Sequence, residues 1–484
     1  MDRLALINLF NKIKPYVLLI PALILVFFSG LCEPLIIPAG IFLSLFMLSL
    51  GTKEIFKYLL FIQFFSGYQP FFMVGLISIF VSIIVRYFIG LIRKKERLYL
   101  KELVLTVLIL LAFSLFNYKV DDNGVLQGLI VYAVLIGTYL IFNYRKDINV
   151  SECVSFAFFG MVVSILMSAL TFIFKSYSFA ALVIDSEKVA RLRLLTLNPN
   201  HLAVLCLFLI SIYIYQLVNK KGVLWIDLVC GIITALIGFL SMSKAFLVVF
   251  VGFIFYTFVL LVIRYKRKSL KIIIATCVTL VVLGLIFKDL VVTFYERFFI
   301  YGNELNSIIF KITTGRSEIW QVYVTEIVSS VPKMLFGVGL FNQDMPINMP
   351  HNAYIFFLYR VGFIGIILLG LLVYFYCFDS GVKIKIKLSK ILPLLTILVL
   401  CMEGMVINER FFIFLIMSLI LLADQRESEQ NYETIISKKI ANLFKKIKRK
   451  LGKSKTSLGA QTPITEGDKT ITEDKDGKTQ TQTQ

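Results

Sequence analysis

The sequence predicts an all-α polytopic membrane protein. Of its 484 residues 58% are hydrophobic, only 17% are charged, and apolar runs long enough to cross a bilayer recur along most of the chain. A mean hydropathy of +0.85 lies far above that of a soluble domain, whose exposed surface must be polar. A hydrocarbon core of about 30 Å is crossed by roughly 20 apolar residues in a helix. Barrel strands would instead alternate apolar and polar residues, and these runs do not.

In chain order, apolar runs near 16–32, 34–51, 55–68, 70–92, 101–117, 124–143, 152–174, 200–218, 222–240, 245–263, 270–287, 351–378, 387–405 and 408–423 predict about 12–14 transmembrane helices. The pair at 55–68 and 70–92 reads either as two spans or as one span plus a re-entrant segment. Basic loops at 93–97, 145–146, 220–221, 264–271 and 383–390 bracket the spans two at a time. The positive-inside rule assigns these loops and both termini to the cytoplasm, so 118–123, 175–199, 241–244, 288–350 and 406–408 face outward. The first apolar stretch follows Lys12 and Lys14 and lacks a small-residue cleavage site, which reads as an uncleaved signal. Arg86, in the inner half of its span, is expected to snorkel toward the cytoplasm.

Residues 1–423 therefore form a transmembrane helical domain, with 288–350 a large external loop inside it. Residues 424–455 set Ile436, Ile440, Leu443, Phe444 and Ile447 beside a run of lysines, the pattern of a basic amphipathic helix on the inner leaflet. Residues 456–484 are polar, lack aromatics and read as disordered. The net charge of +20 lies in the loops and this tail, which points to membrane lipid headgroups and away from nucleic acid. Seven cysteines without paired spacing read as packing residues, neither a disulfide framework nor a zinc site.

The distinctive polar residues gather on the outward side. The loop 288–350 exceeds what a connection requires, and it carries apolar positions Val322, Ile327, Val331 and Leu335 at helical spacing, as helices lying on a membrane surface would. His351 is one of only two histidines and stands at a helix start; it is either a capping group or a proton acceptor near neutral pH. His201, the other, reads as structural. Arg191, Arg193, Arg297, Arg316 and Arg410 are local exceptions to the positive-inside rule. A guanidinium forks onto phosphate oxygens without deprotonating, which suits a diphosphate clamp. Arg316 fits that role, whereas Arg297 fits pairing with a neighbouring glutamate. Lys244, in a short turn, is either a phosphate contact or a snorkelling residue. Asp121 and Asp122 read as solvated.

Gly315-Arg316 with Trp320, Gly337 with Gly339, and His351-Asn352 with Tyr354, Gly362 and Gly365, together resemble the O-antigen ligase and polymerase superfamily over about 190–375. Asn198-Pro199-Asn200 followed by Leu202 and Ala203 is similar to that family's pattern as well. The resemblance implies a GT-C-type helical glycosyltransferase acting on undecaprenyl-diphosphate-linked oligosaccharide at the outer face of the bacterial cytoplasmic membrane. It implies inverting transfer with no metal or other cofactor. Arg191 or Arg193 and Arg316 would engage the donor diphosphate, and His351 would assist the acceptor hydroxyl. Asn352, Tyr354, Asn200 and Glu318 would support them. Many members place Ser-Arg where this chain has Ser243-Lys244, which keeps charge and loses the bidentate fork. A flippase and a chain-length regulator of the same pathway are the implied partners. A polymerase reading is favoured because no long external segment suggests a protein acceptor; a ligase acting on lipid A core or another acceptor stays open, as does a lipid-linked oligosaccharide flippase. A sensor built around the basic tail leaves the loop motif unexplained.

Overall fold

The structure is a computed structural model that describes residues 17–93, 99–115, 131–132, 135–140, 143–144, 148–174, 182–184, 190–196, 198–219, 224–264, 274, 278, 285, 288–289, 292, 316–339, 345–348, 350–375 and 396. The expected span 387–405 apart from residue 396, the span 408–423, most of 124–143 and 270–287, and the segments 424–455 and 456–484 lie outside the described residues, as do Asp121, Asp122, Arg297 and Arg410.

What is described is mostly helical. The helices are α1 (Val17–Ser29), α2 (Ile36–Ser49), α3 (Thr52–Ile55), α4 (Lys57–Gln63), α5 (Gln69–Ile92), α6 (Leu100–Leu115), α7 (Val150–Ile173), α8 (Pro199–Asn219), α9 (Leu224–Leu240), α10 (Lys244–Arg264), α11 (Arg316–Val328), α12 (Val331–Phe336) and α13 (Ala353–Tyr374). Between α7 and α8, β1 (Leu182–Ile184) and β2 (Ala190–Leu192) form an antiparallel hairpin with Val183 opposite Arg191. Among the described residues, four helices are long and apolar enough to cross a membrane: Phe71–Ile92, Val150–Leu170, Pro199–Leu217 and Ala353–Leu372. Apolar stripes face outward at helical spacing, such as Ile77, Val81, Val85 and Phe88 on α5, one of these four, and Ile37, Ile41, Leu45 and Leu48 on its neighbour α2. Such a stripe suits lipid, where it would be costly in water. The opposite face of α2, with Ala39, Leu43 and Phe46, is buried against α5.

Segment 55–68 resolves into something shorter than a span. Helix α4 has seven residues, all buried, and at ~1.5 Å per residue it reaches only about 10 Å. It lies alongside α7 in the same direction: Cys153 Sγ is 3.9 Å from Phe56 O, and Ser164 Oγ donates to Phe64 O at 3.3 Å. Gly160 permits the approach, since a Cβ there would stand 2.7 Å from Phe61 O. Lys57 enters this packing as a buried cation held by Glu54 at 2.9 Å and Glu152 at 2.5 Å. Rings of Phe46, Tyr58 and Phe156 meet edge to face around it, at 4.8 and 5.2 Å.

Arg86 reaches from α5 to the C-terminal end of α2. Its Nη2 donates to the carbonyls of Leu48 and Leu50, and its Nε to Ser82 Oγ at 3.0 Å. The last carbonyls of α2 have no partner within their own helix, and a cation on that end satisfies them directly.

The expected continuous span 351–378 is also modified, because α13 breaks at Gly362, which takes φ 64° and ψ −174°. A regular helix would leave the carbonyls of Tyr359 and Arg360 to the next turn. Here they accept from Val338 N and Gly339 N, both at 2.9 Å, so the loop after α12 caps the break. The two backbones touch: a Cβ on Gly337 would lie 2.4 Å from Arg360 O, and one on Gly362 would lie 2.3 Å from Leu335 O.

Candidate functional site

Two constellations hold the predicted site residues that the structure describes. In the first, Arg191 on β2 reaches across to the start of α8 and to the turn between α9 and α10. Its Nη2 donates to Asn200 Oδ1 at 2.7 Å and its Nε to Ser241 O at 3.1 Å. Lys244 opens α10 directly after that turn. Arg193 follows β2, and its carbonyl accepts from Thr196 N at 3.1 Å and Thr196 Oγ1 at 2.5 Å. Asn198 opens α8 by accepting the His201 N–H at 2.9 Å, with Pro199 in the first position, where a missing N–H costs nothing. Hairpin, helix start and turn thus carry three cations on one side of the bundle.

The second constellation is built by α11 and α13. Trp320 Nε1 donates to Pro350 O at 2.6 Å, tying α11 to the residue before His351. Below it Tyr323 meets Tyr359 edge to face at 5.1 Å, within a small core that includes Ile327 and Val338. Asn352 starts α13 by accepting from Tyr354 N at 3.0 Å and Ile355 N at 3.2 Å. With the cap assigned to Asn352, His351 is not needed for it. Arg316, the first residue of α11, is near enough for its charge to act on the imidazole. Crowding by protein atoms, and then Arg316, hold the His351 pKa below its ordinary 6.5, although the residue keeps an exposed face. The ring is therefore neutral at pH 7, with a lone pair available to accept a proton. Glu318 and Tyr354 are exposed on the first turns of α11 and α13.

Backbone strain marks the same places independently. Among the described residues, the non-glycine positions with positive φ are Leu194 at 53°, Met242 at 51° and His351 at 49°. Each falls inside one of the segments just described: the loop after β2, the turn before Lys244, and the mouth of α13. Bulky residues avoid this region, and strain of this kind is retained where the surroundings over-determine it, commonly at functional sites.

No family model, no curated protein and no solved structure matches this chain.

One residue escaped the sequence reading. Arg360 lies deep in α13, buried to 2% exposure, with its guanidinium carbon 5.1 Å from the Phe356 ring centre and 5.9 Å from that of Tyr359. It lines a small cavity with Phe113, Phe336, Gly339 and Ile364, beside the helix break. An arginine inside an apolar span is itself a signal, and inspection of loops alone passes over it. No group of three or more His, Cys, Asp or Glu side chains is gathered as a metal set among the described residues.

Proposed function

We propose that this chain is a glycosyltransferase that polymerises undecaprenyl-diphosphate-linked oligosaccharide repeat units into a surface polysaccharide at the outer face of the cytoplasmic membrane. The observation that carries the reading is His351: strained, neutral at pH 7, freed from capping by Asn352, and set beside Arg316. In the reaction the imidazole takes the proton of an acceptor hydroxyl as its oxygen attacks the anomeric carbon of the donor. The bond to the carrier diphosphate breaks, and the leaving diphosphate carries the electron pair away. Arg316, with Arg191, Arg193 and Lys244, supplies the positive charge that stabilises this leaving group. A polyprenyl diphosphate is already activated, so cations and one base meet the chemical need.

A lipid-linked oligosaccharide flippase is the second reading, and Arg360 is the observation in its favour, since a buried cation beside a cavity suits a translocation path. Cells lacking the native gene and carrying His351→Ala or Arg316→Ala distinguish the two. Under the polymerase reading both variants insert in the membrane and yield surface glycans of single-repeat length. Surface polysaccharide of normal length from both variants contradicts it.

A further inference from the structure

Arg191 and Arg193, two cations of the first constellation, lie on β2 and just after it, and lead into a loop that the helical bundle grips. Residues Leu194, Leu195 and Thr196 are buried to 4%, 3% and 1% exposure, unusual for a connection that would otherwise run over the surface. Leu195 N donates to Ser164 Oγ at 3.1 Å, which puts the loop about 14 Å short of the end of α7, at ~1.5 Å per residue. A buried loop must find partners for its own backbone. Both polar groups of Leu195 find theirs in distant elements, because its carbonyl accepts from Gly67 N at 2.8 Å.

We propose that Gly67 and Ser164 are positioning residues for the donor-binding cations Arg191 and Arg193, a role that rests on the glycosyltransferase reading above. The Ser164 hydroxyl works in both directions, accepting from Leu195 N and donating to Phe64 O, so one side chain joins α7, the turn after α4 and the arginine loop. Gly67 is required sterically. A Cβ there would stand 2.4 Å from Thr196 O and 2.8 Å from Leu195 O, backbone atoms that cannot swing aside. Leu194 keeps its φ of 53° because the next residue is fixed at both ends. Arg193 inherits the restraint through its carbonyl, which Thr196 holds, and Arg191 is closed onto Asn200 at the far side. Nothing in the sequence near 67 or 164 signals this; both positions lie outside the motif-bearing region.

The test compares wild type, Ser164→Ala, Ser164→Thr and Gly67→Ala in detergent. It measures hydrogen exchange of the 190–200 amides together with transfer kinetics on carrier-linked donor. Ser164→Ala is expected to speed exchange in 190–200 and to raise the donor KM by about tenfold to a hundredfold, since ~1 Å of misplacement is worth roughly that much. Ser164→Thr, which keeps the hydroxyl, restores both readouts. In an Arg191→Ala, Arg193→Ala background Ser164→Ala adds less than about twofold to the donor KM, because a residue acting through another loses its effect when that other is gone. Unchanged exchange overturns the proposal, and so does faster exchange with an unchanged donor KM. Should Gly67→Ala fail to fold, the Ser164 pair decides the matter without it. A wild-type protein that transfers no sugar overturns the functional reading and the role assigned here, while the exchange arm separately reports whether the grip exists.

Discussion

On the proposed reading, the lowered pKa of His351 suits it to accept the proton of an attacking hydroxyl. A base is active when unprotonated, so kcat/KM is expected to fall on the acid side with a midpoint below 6.5, the ordinary histidine value. Arg316→Gln removes the neighbouring charge and moves that midpoint upward; a profile that stays put shows that Arg316 does not act on the ring. The stability sign is consistent with this. The unfolded chain takes up the extra proton first, so the contribution of this group to stability falls as pH drops through 6.5. Arg191→Lys is expected to lower donor turnover by about tenfold, because one ammonium does not reproduce Nε and Nη2 aimed at separate acceptors. Loss of less than about twofold contradicts that role. Arg191, Arg316 and His351 stood out in the sequence because charge and imidazole are scarce in the segments that loop charge assigns to the outside. The φ values of Leu194 and Met242 did not, since tertiary packing imposes them, and Arg360 was hidden inside an otherwise apolar span.

Among the elements, α13 carries the clearest test of the packing. Gly362→Ala meets Leu335 O and a positive φ together, and should cost about 2–5 kcal/mol, from ~1–2 for the left-handed backbone and ~1–3 for overlap. Gly370→Ala, in the same helix with open space around it, should be neutral or stabilising by up to ~1 kcal/mol. Thermal unfolding in detergent measures both, and equal effects at the two glycines contradict the capped break. Asn352→Ala should cost ~1 kcal/mol by the same measurement, through loss of the cap on Tyr354 N and Ile355 N. The spans read at 70–92, 152–174, 200–218 and 351–378 from length and hydropathy alone each overlap a helix long and apolar enough to cross a membrane. The break was not readable in this way, because apolar periodicity runs through Gly362 without interruption. Helix α4 was ambiguous for a related reason: a short apolar run fits a spanning segment and a helix buried on all sides equally well.

For the whole molecule, a helical membrane bundle carries its distinctive polar residues on segments that the basic loops assign to the outside. Cysteine substitution at 351 should be labelled by an impermeant reagent from outside intact cells, and substitution at 220 only after permeabilisation; the reverse pattern removes access to carrier-linked sugars presented outside. Loop charge predicts which side faces outward, whereas the gathering of Arg191, Asn200 and the turn at Ser241 requires the fold, which joins three segments separated in the chain. The most direct measurement of the proposed chemistry gives the purified protein undecaprenyl-diphosphate-linked repeat units, with no other acceptor, and sizes the product. Polymerisation predicts a ladder of multi-repeat glycans on the carrier, absent with His351→Ala. Repeat units that remain single, whether unreacted or merely carried across a bilayer, contradict it.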